Sequence, residues 1–269
     1  ALMILVTIAA GVVAIRRNSL LIAILGIAGG YLTPFMIETQ NPSVVSFLGY
    51  LLLLGSGVLF IAWQKNWRIL NYIGFAATSL LTLKAVDAGF FPERFWEFMP
   101  FLVGFFTLFS TATFLYHLVS KQKATLLELL FLFLNASVFL AFSVHLIENT
   151  FSREAIAFVT LGLAVFYVGH IAYFLRKNVE DKGLLLSFMG LSSVFVAVTL
   201  PLVLSKGWIT ASWATQGFVM LWIASRMKSE FLRQLAYVLY LIVLVRIAIF
   251  DLHHQFGQSM ASLSGGEYA

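Results

Sequence analysis

The chain has no cysteine, 5 prolines in 269 residues and few charges, with Asp, Glu, Lys and Arg together at 11%. Without cysteine there is no disulfide, thiolate metal site, cysteine nucleophile or cysteine lipid anchor within these residues. Soluble domains are usually about 25% charged, so this chain is too poor in charge to cover itself with a solvated surface. No Gly-rich phosphate loop, G-x-S-x-G elbow or H-E-x-x-H helix occurs. The 17 basic residues exceed the 12 acidic ones, for a net charge of +5. These charges sit in short turns between apolar runs rather than on a basic face with interleaved aromatics, so nucleic acid is not expected as a partner.

What fills the chain instead is apolar: 61% of residues are hydrophobic, and mean hydropathy is +0.94. Apolar runs, most of them long enough to span a bilayer, recur at about 1–15, 20–37, 43–63, 70–86, 99–119, 126–147, 155–175, 184–204, 208–225 and 231–250. The fold class expected is an all-α integral membrane protein of about ten transmembrane helices in successive hairpins. These hairpins fall at about 1–37, 43–86, 99–147, 155–204 and 208–250, with 251–269 an outer loop or cut end. The first run is shorter than the roughly 20 residues of a full span. It has no charged segment before it and a second apolar run directly after it, so it reads as a clipped transmembrane helix rather than a signal peptide. The chain is thus expected to be a piece of a longer one.

Charge alternates between successive turns. Those after odd-numbered runs hold Arg16, Arg17, Lys65, Arg68, Lys121, Lys123, Arg176, Lys177, Lys182, Arg226, Lys228 and Arg233. The opposite side collects Glu38, Asp87, Glu93, Glu97, Glu148, Glu154 and Asp251. By the positive-inside rule the basic turns are cytoplasmic and the acidic side is outside, as in a bacterial inner membrane. The basic turns centre near residues 16, 66, 122, 179 and 229, so a repeat of hairpins and ordinary alternation are both open readings.

Two helices carry most of the candidate binding residues. In WITASWATQGFVMLW, residues 208–222, Trp208, Ser212, Thr215, Gln216, Val219 and Trp222 fall within about 120° of arc at 100° per residue. A glutamine amide and two hydroxyls at membrane depth need partners, so this face is expected to turn toward neighbouring helices or a wet cavity. In LLIAILGIAGGYLTPFM, Gly26 and Gly30 permit close helix approach, and Pro34 frees the carbonyl of Gly30. The two readings there are tight packing with a kink, or a broken helix lining a cavity.

The stretch 87–100, DAGFFPERFWEFMP, reads as a short helix in the outer interface, anchored by Phe90, Phe91, Phe95 and Trp96. Glu93 and Glu97, one turn apart, are the alternative acid and base pair. Ionisable residues at membrane depth are functional candidates by default. Glu128 is expected to pair with Lys121 or Lys123, and Lys84 with Asp87. Arg246, about 7 Å from Asp251 along the helix, either pairs with it or holds an anionic group entering from outside. The histidines are split, with His117 and His170 toward the inner side and His145, His253 and His254 toward the outer. They converge on no metal site, and neither a metal nor a cofactor is expected.

Several blocks resemble one family. VTLPLVLSKGWITASWATQGFVMLWIASRM, GIAGGYLTP, GYLLLLGSGVLFIAWQKNWRILNYIGF, LLFLFLNASVFL and LIVLVRIAIFDL are similar, in order, to blocks of the domain of unknown function 2339 family of bacterial membrane proteins. The resemblance spans most of residues 15–252 and implies a many-helix inner-membrane protein with no established activity. It matches Arg246 and Asp251 to the family's arginine and aspartate. The family commonly has an acid where this chain has Gln216, so the resemblance supports no proton relay there. The function expected is binding or transport of a small or lipid-like substrate through an intramembrane cavity, with Ser212, Thr215, Gln216, Arg246 and Pro34 as candidate contacts. The alternatives are a structural or assembly subunit with other membrane subunits as partners, and an envelope enzyme acting on a lipid-linked or glycan substrate at the outer face. Catalysis is not assigned to any residue; Glu128, Lys84, Asp87 and Asp251 are read as structural charges, and membrane lipid is the expected partner.

Overall fold

The computed structural model describes residues 2–36, 43–120, 125–177 and 182–251, which are helical with no strand among them. The ten helices are α1 Leu2–Arg17, α2 Leu20–Met36, α3 Val44–Lys65, α4 Arg68–Gly89, α5 Phe95–Ser120, α6 Leu126–Thr150, α7 Ile156–Lys177, α8 Lys182–Val203, α9 Lys206–Met227 and α10 Glu230–Arg246. They coincide with the ten apolar runs, and the fold is all-α. Single 3-10 turns precede α5 and α7, and a π-helical turn, Ile247–Asp251, follows α10. Among the described residues, α3, α4, α6, α7, α8 and α10 are long and apolar enough to cross a membrane. The helices leave large side chains such as Leu21, Leu80, Phe158, Val165 and Leu241 exposed. Exposed apolar surface on this scale is stable against lipid tails and not against water.

Three of the basic turns close in the same way. Asn18, Asn66 and Lys228 each adopt the left-handed conformation, at φ 51°, 56° and 50°. The next residue then donates its N–H back across the turn: Ser19 to Ala14 O, Trp67 to Ala62 O and Ser229 to Ala224 O, at 3.0–3.1 Å. These are Schellman closures, which satisfy carbonyls that the ending helix leaves open. Ser19 and Ser229 then cap the following helix by accepting from Ile22 N and Leu232 N. Each chain reversal is therefore completed within two residues.

The chain forms two compact units, Ala1–Ser152 and Arg153–Ala269. In the first, α1 packs on α2, α3 on α4 and α5, and α5 on α6. The small-residue face of α2 explains the first pairing. A Cβ at Gly26 would lie 2.8 Å from the Cβ of Ala10, so only glycine admits this approach. Rings fill the space among α4, α5 and α6, with Phe75 edge-on to Phe109 and Phe131, and Phe106 stacked on Phe139. Polar side chains there bond between helices. Asn135 donates to Phe106 O and Ser110 Oγ, and Tyr31 shares a hydrogen bond with Thr78.

In the second unit α7 packs on α8, and α9 on α10. Tyr167, Phe174, Phe188 and Phe195 form an aromatic seam between α7 and α8, and Thr199 donates to Thr160 across it. Gly217 lets α9 approach α10, since a Cβ there would meet the Tyr240 ring at 3.0 Å.

Residues 87–100 do not form a separate interfacial helix. Pro92–Arg94 is one 3-10 turn, and α5 begins at Phe95 and runs through Pro100. The rings and charges of this stretch therefore belong to the opening of a long helix, in which Pro100, the sixth residue, leaves the carbonyl of Trp96 without its helical donor. Phe95 and Phe98 are buried while Trp96 is 73% exposed.

Candidate functional site

The polar stripe expected on α9 is divided by the structure. Its aromatic ends face outward, with Trp208 at 67% and Trp222 at 58% exposure. Thr215 is exposed too and returns its hydroxyl to Ala211 O of its own helix, which satisfies it without a partner helix. Ser212 is half-buried. The inward face of α9 is instead Ile209, Trp213, Gln216, Gly217, Met220 and Ala224, spaced by three and four residues.

Gln216 is the stripe residue that reaches this inward face, with its amide nitrogen engaged. Its Nε2 donates to the backbone oxygen of Ser193 on α8 at 2.7 Å and to Ser193 Oγ at 3.1 Å. A carbonyl can only accept, so this contact fixes which end of the amide faces α8. Oε1 on the other side is buried and has no donor. An acceptor left unmet in this way costs about 1–3 kcal/mol.

Gln216 forms part of the wall of a cleft of about 460 Å³ among α8, α9 and α10. Ser193, Ala197 and Val198 from α8, Trp213 and Met220 from α9, and Leu235, Val238 and Ile242 from α10 line it, with Arg153 beside them. The volume is within the range of small-molecule sites, and the lining is apolar with a few polar groups, as such sites usually are. Trp213 is held in the wall by a hydrogen bond from Nε1 to Ala197 O at 2.8 Å. The acceptor is available because Pro201, four residues on, has no N–H to give it.

Arg246 lies behind this wall. Its Nε donates to Thr210 Oγ1 at 3.1 Å, and its guanidinium sits 5.7 Å from the centre of the Trp213 ring, a cation–π distance. It therefore braces the α9 face from α10 and is not itself among the cleft's lining side chains. The side chain of Asp251, its expected partner, lies outside the described residues.

Pro34 belongs to the first unit, whereas the α9 and α10 candidates belong to the second. The carbonyl it frees, that of Gly30, accepts from the Tyr50 hydroxyl of α3 at 2.7 Å. Glu128 takes a partner that its sequence neighbours did not suggest. Its Oε1 accepts from Arg68 of α4 at 3.0 Å, while Oε2 accepts from Thr125 N and Oγ1. Lys121 and Lys123 lie outside the described residues. Lys84 and Asp87 are exposed at the end of α4.

The acid and base alternative at Glu93 and Glu97 loses one member to an ion pair. Arg94 donates to Glu97 Oε2 through Nε and a terminal nitrogen and also to Gly89 O, tying the start of α5 to the end of α4. Among the described residues no three His, Asp or Glu side chains gather around one point. The side chain of His117, and His253 and His254, lie outside them.

Sequence reasoning missed Trp213, Ser193, Met220 and Arg153. Trp213 had a legible signal, because it stands three and four residues before Gln216 and Gly217. No solved structure and no curated protein matches the chain. The family described as "Predicted membrane protein (DUF2339)" matches residues 1–264. With nearly the whole length matched, the chain belongs to that family, a set of predicted membrane proteins of unknown function.

Proposed function

We propose that this membrane protein binds, and in a transport cycle passes, a small or lipid-like substrate in the cleft among α8, α9 and α10. The observation that carries the reading is the cleft of about 460 Å³ with Gln216 in its wall, one amide end anchored to α8 and the other without a donor. The apolar lining suits a hydrocarbon or aromatic body. A ligand hydroxyl, amine or amide N–H near Gln216 would offset the cost of the unmet acceptor. Met220, a flexible thioether in the same wall, gives room for such an adjustment. The alternation of basic and acidic turns supports a bacterial inner membrane as the location, with the basic turns cytoplasmic. Neither the assembly-subunit reading nor the outer-face enzyme has a comparable observation behind it, and the engagement of Glu97 with Arg94 counts against the second.

The test is to purify the protein from native membrane and identify what co-purifies by mass spectrometry of an organic extract, beside a Val238→Trp variant. Val238 is an exposed wall residue of the cleft, so the larger ring fills it without entering the core. At least one bound species should be lost from the variant, and Gln216→Leu should weaken its retention. Identical extracts from all three proteins would overturn the reading.

A further inference from the structure

A second cleft, in the first unit, has a different chemical character. It measures about 470 Å³ and lies among α3, α4 and α5. Its charged and amide groups are gathered at one end, where Arg68 and Asn71 of α4 stand near Trp63 of α3. Leu52, Leu59 and Leu108 line the rest. The hydroxyls of Ser56 and Thr107 along the wall are already donated to carbonyls of their own helices. From Trp63 back to Leu52 the α3 wall runs about 16 Å at 1.5 Å per residue. That is about half of a bilayer's hydrocarbon thickness, the depth of one leaflet.

The polar end offers donors and positive charge. Arg68 lines the cleft while Glu128 holds its guanidinium from the α6 side at 3.0 Å, so the cation is fixed in place rather than swinging free. Lys65, the last residue of α3, lies outside the lining but at the same end of the helix pair, where it adds a positive charge beyond the one that Glu128 balances. Asn71 makes no hydrogen bond across its amide: Oδ1 is buried without a partner, which leaves Nδ2 as the polar atom able to meet an occupant of the cleft. A guanidinium and an amide N–H side by side suit an anionic, acceptor-only group such as a phosphate. The apolar wall beyond them suits one acyl chain, and an exposed tryptophan at the rim suits the headgroup zone.

From this gradient we infer that the α3–α4–α5 cleft is a binding site for an anionic phospholipid from the leaflet at the Arg68 end, with its phosphate at Arg68 and Asn71 and one acyl chain along Leu59 and Leu108. Basic pockets between transmembrane helices hold anionic headgroups by this combination of charge and hydrogen bonding. The site is separate from the α8–α10 cleft and does not depend on what that cleft binds.

Native mass spectrometry of the purified full chain tests it, using phosphatidylglycerol and phosphatidylcholine with matched acyl chains. The first lipid bound should favour phosphatidylglycerol by about fivefold in Kd, the effect of a basic side chain at a membrane surface. Asn71→Leu should weaken both lipids by a few-fold, because each carries the phosphate that the amide N–H meets. Ser56→Phe, at an exposed position of the wall, should weaken both lipids by filling the chain groove. Val238→Trp should change neither, which separates this site from the α8–α10 cleft. Millimolar glycerol 3-phosphate should not displace the lipid. Equal binding of the two lipids by the unaltered protein would overturn the inference, as would displacement by glycerol 3-phosphate. So would unchanged phosphatidylglycerol binding in both the Asn71 and Ser56 variants.

Discussion

The indole N–H of Trp213 donates to the carbonyl of Ala197 at 2.8 Å, the oxygen that Pro201 leaves without its helical donor. The same device occurs in the other unit, where Tyr50 donates to Gly30 O at 2.7 Å beneath Pro34. Each proline stands third from the end of its helix, and each freed oxygen is met by an aromatic donor from the next helix. An unmet carbonyl is costly in hydrocarbon, so the bond makes the proline tolerable. Tyr50→Phe and Trp213→Phe should each cost about 1 kcal/mol of stability. In a Pro34→Ala or Pro201→Ala background, where the helix supplies its own N–H, the same change should be nearly silent. A double-mutant cycle on unfolding in detergent measures this, and an equal cost in both backgrounds would refute the account.

Arg68 and Glu128 join α4 to α6, with the arginine side chain 28% exposed and the glutamate 7%. Glu128 also accepts from the backbone N–H and hydroxyl of Thr125 at the start of its own helix. Removing the guanidinium leaves a buried carboxylate without its counter-charge, which costs more than the pair is worth. Arg68→Met alone should therefore destabilise by about 2–3 kcal/mol, reduced from the fully buried case by solvent at the arginine. Arg68→Met with Glu128→Gln should be closer to the unaltered protein, because Gln retains an oxygen for the Thr125 cap and brings no charge. If the double variant is as unstable as the sum of the single ones, the two residues do not act as a pair.

The helices were legible because membrane length and short basic turns leave few other ways to divide the chain. The close approach at Gly26 and the freed carbonyl beneath Pro34 were legible too, since both follow from the missing atoms of one residue type. Partners across helices were not. Glu128 has lysines near it in sequence, yet the guanidinium that reaches it comes from Arg68, 60 residues away; local spacing carries no information on that choice. The α9 face was misplaced for a related reason. Polar type selected Ser212 and Thr215, but a hydroxyl can satisfy itself on its own helix, as Thr215 does. An indole cannot reach back in this way, so Trp213 with Gln216 marked the inward face better than the hydroxyls did.

The charge alternation has a direct consequence for topology. Arg94 apart, the 87–100 turn holds Asp87, Glu93 and Glu97, while the 120–125 turn holds Lys121 and Lys123. A reporter active only in the cytoplasm should therefore work when inserted between Lys121 and Lys123 and fail beside Glu93. A periplasmic reporter should give the reverse pattern. The same activity at both sites would mean that α5 does not cross the membrane.

The three Schellman turns offer a comparison within one chain. Asn18 and Asn66 tolerate the left-handed conformation, because a short polar side chain bonds locally and adds little crowding. Lys228 adopts it at φ 50° with a long aliphatic side chain and no such compensation. Its N–H still donates to Ala224 O and Ser225 O, so the turn forms despite the unfavourable backbone. Lys228→Gly should then raise stability by about 0.5–1 kcal/mol through relief of the left-handed penalty. Lys228→Asn should give a smaller gain, with the same loss of charge. At Asn66 the opposite change, Asn66→Val, should cost at least as much, since a β-branched side chain is among the least compatible with positive φ. Melting temperatures of the three purified variants decide it: a fall for Lys228→Gly, with Lys228→Asn unchanged, would place the controlling effect in glycine's flexibility rather than in relief of strain.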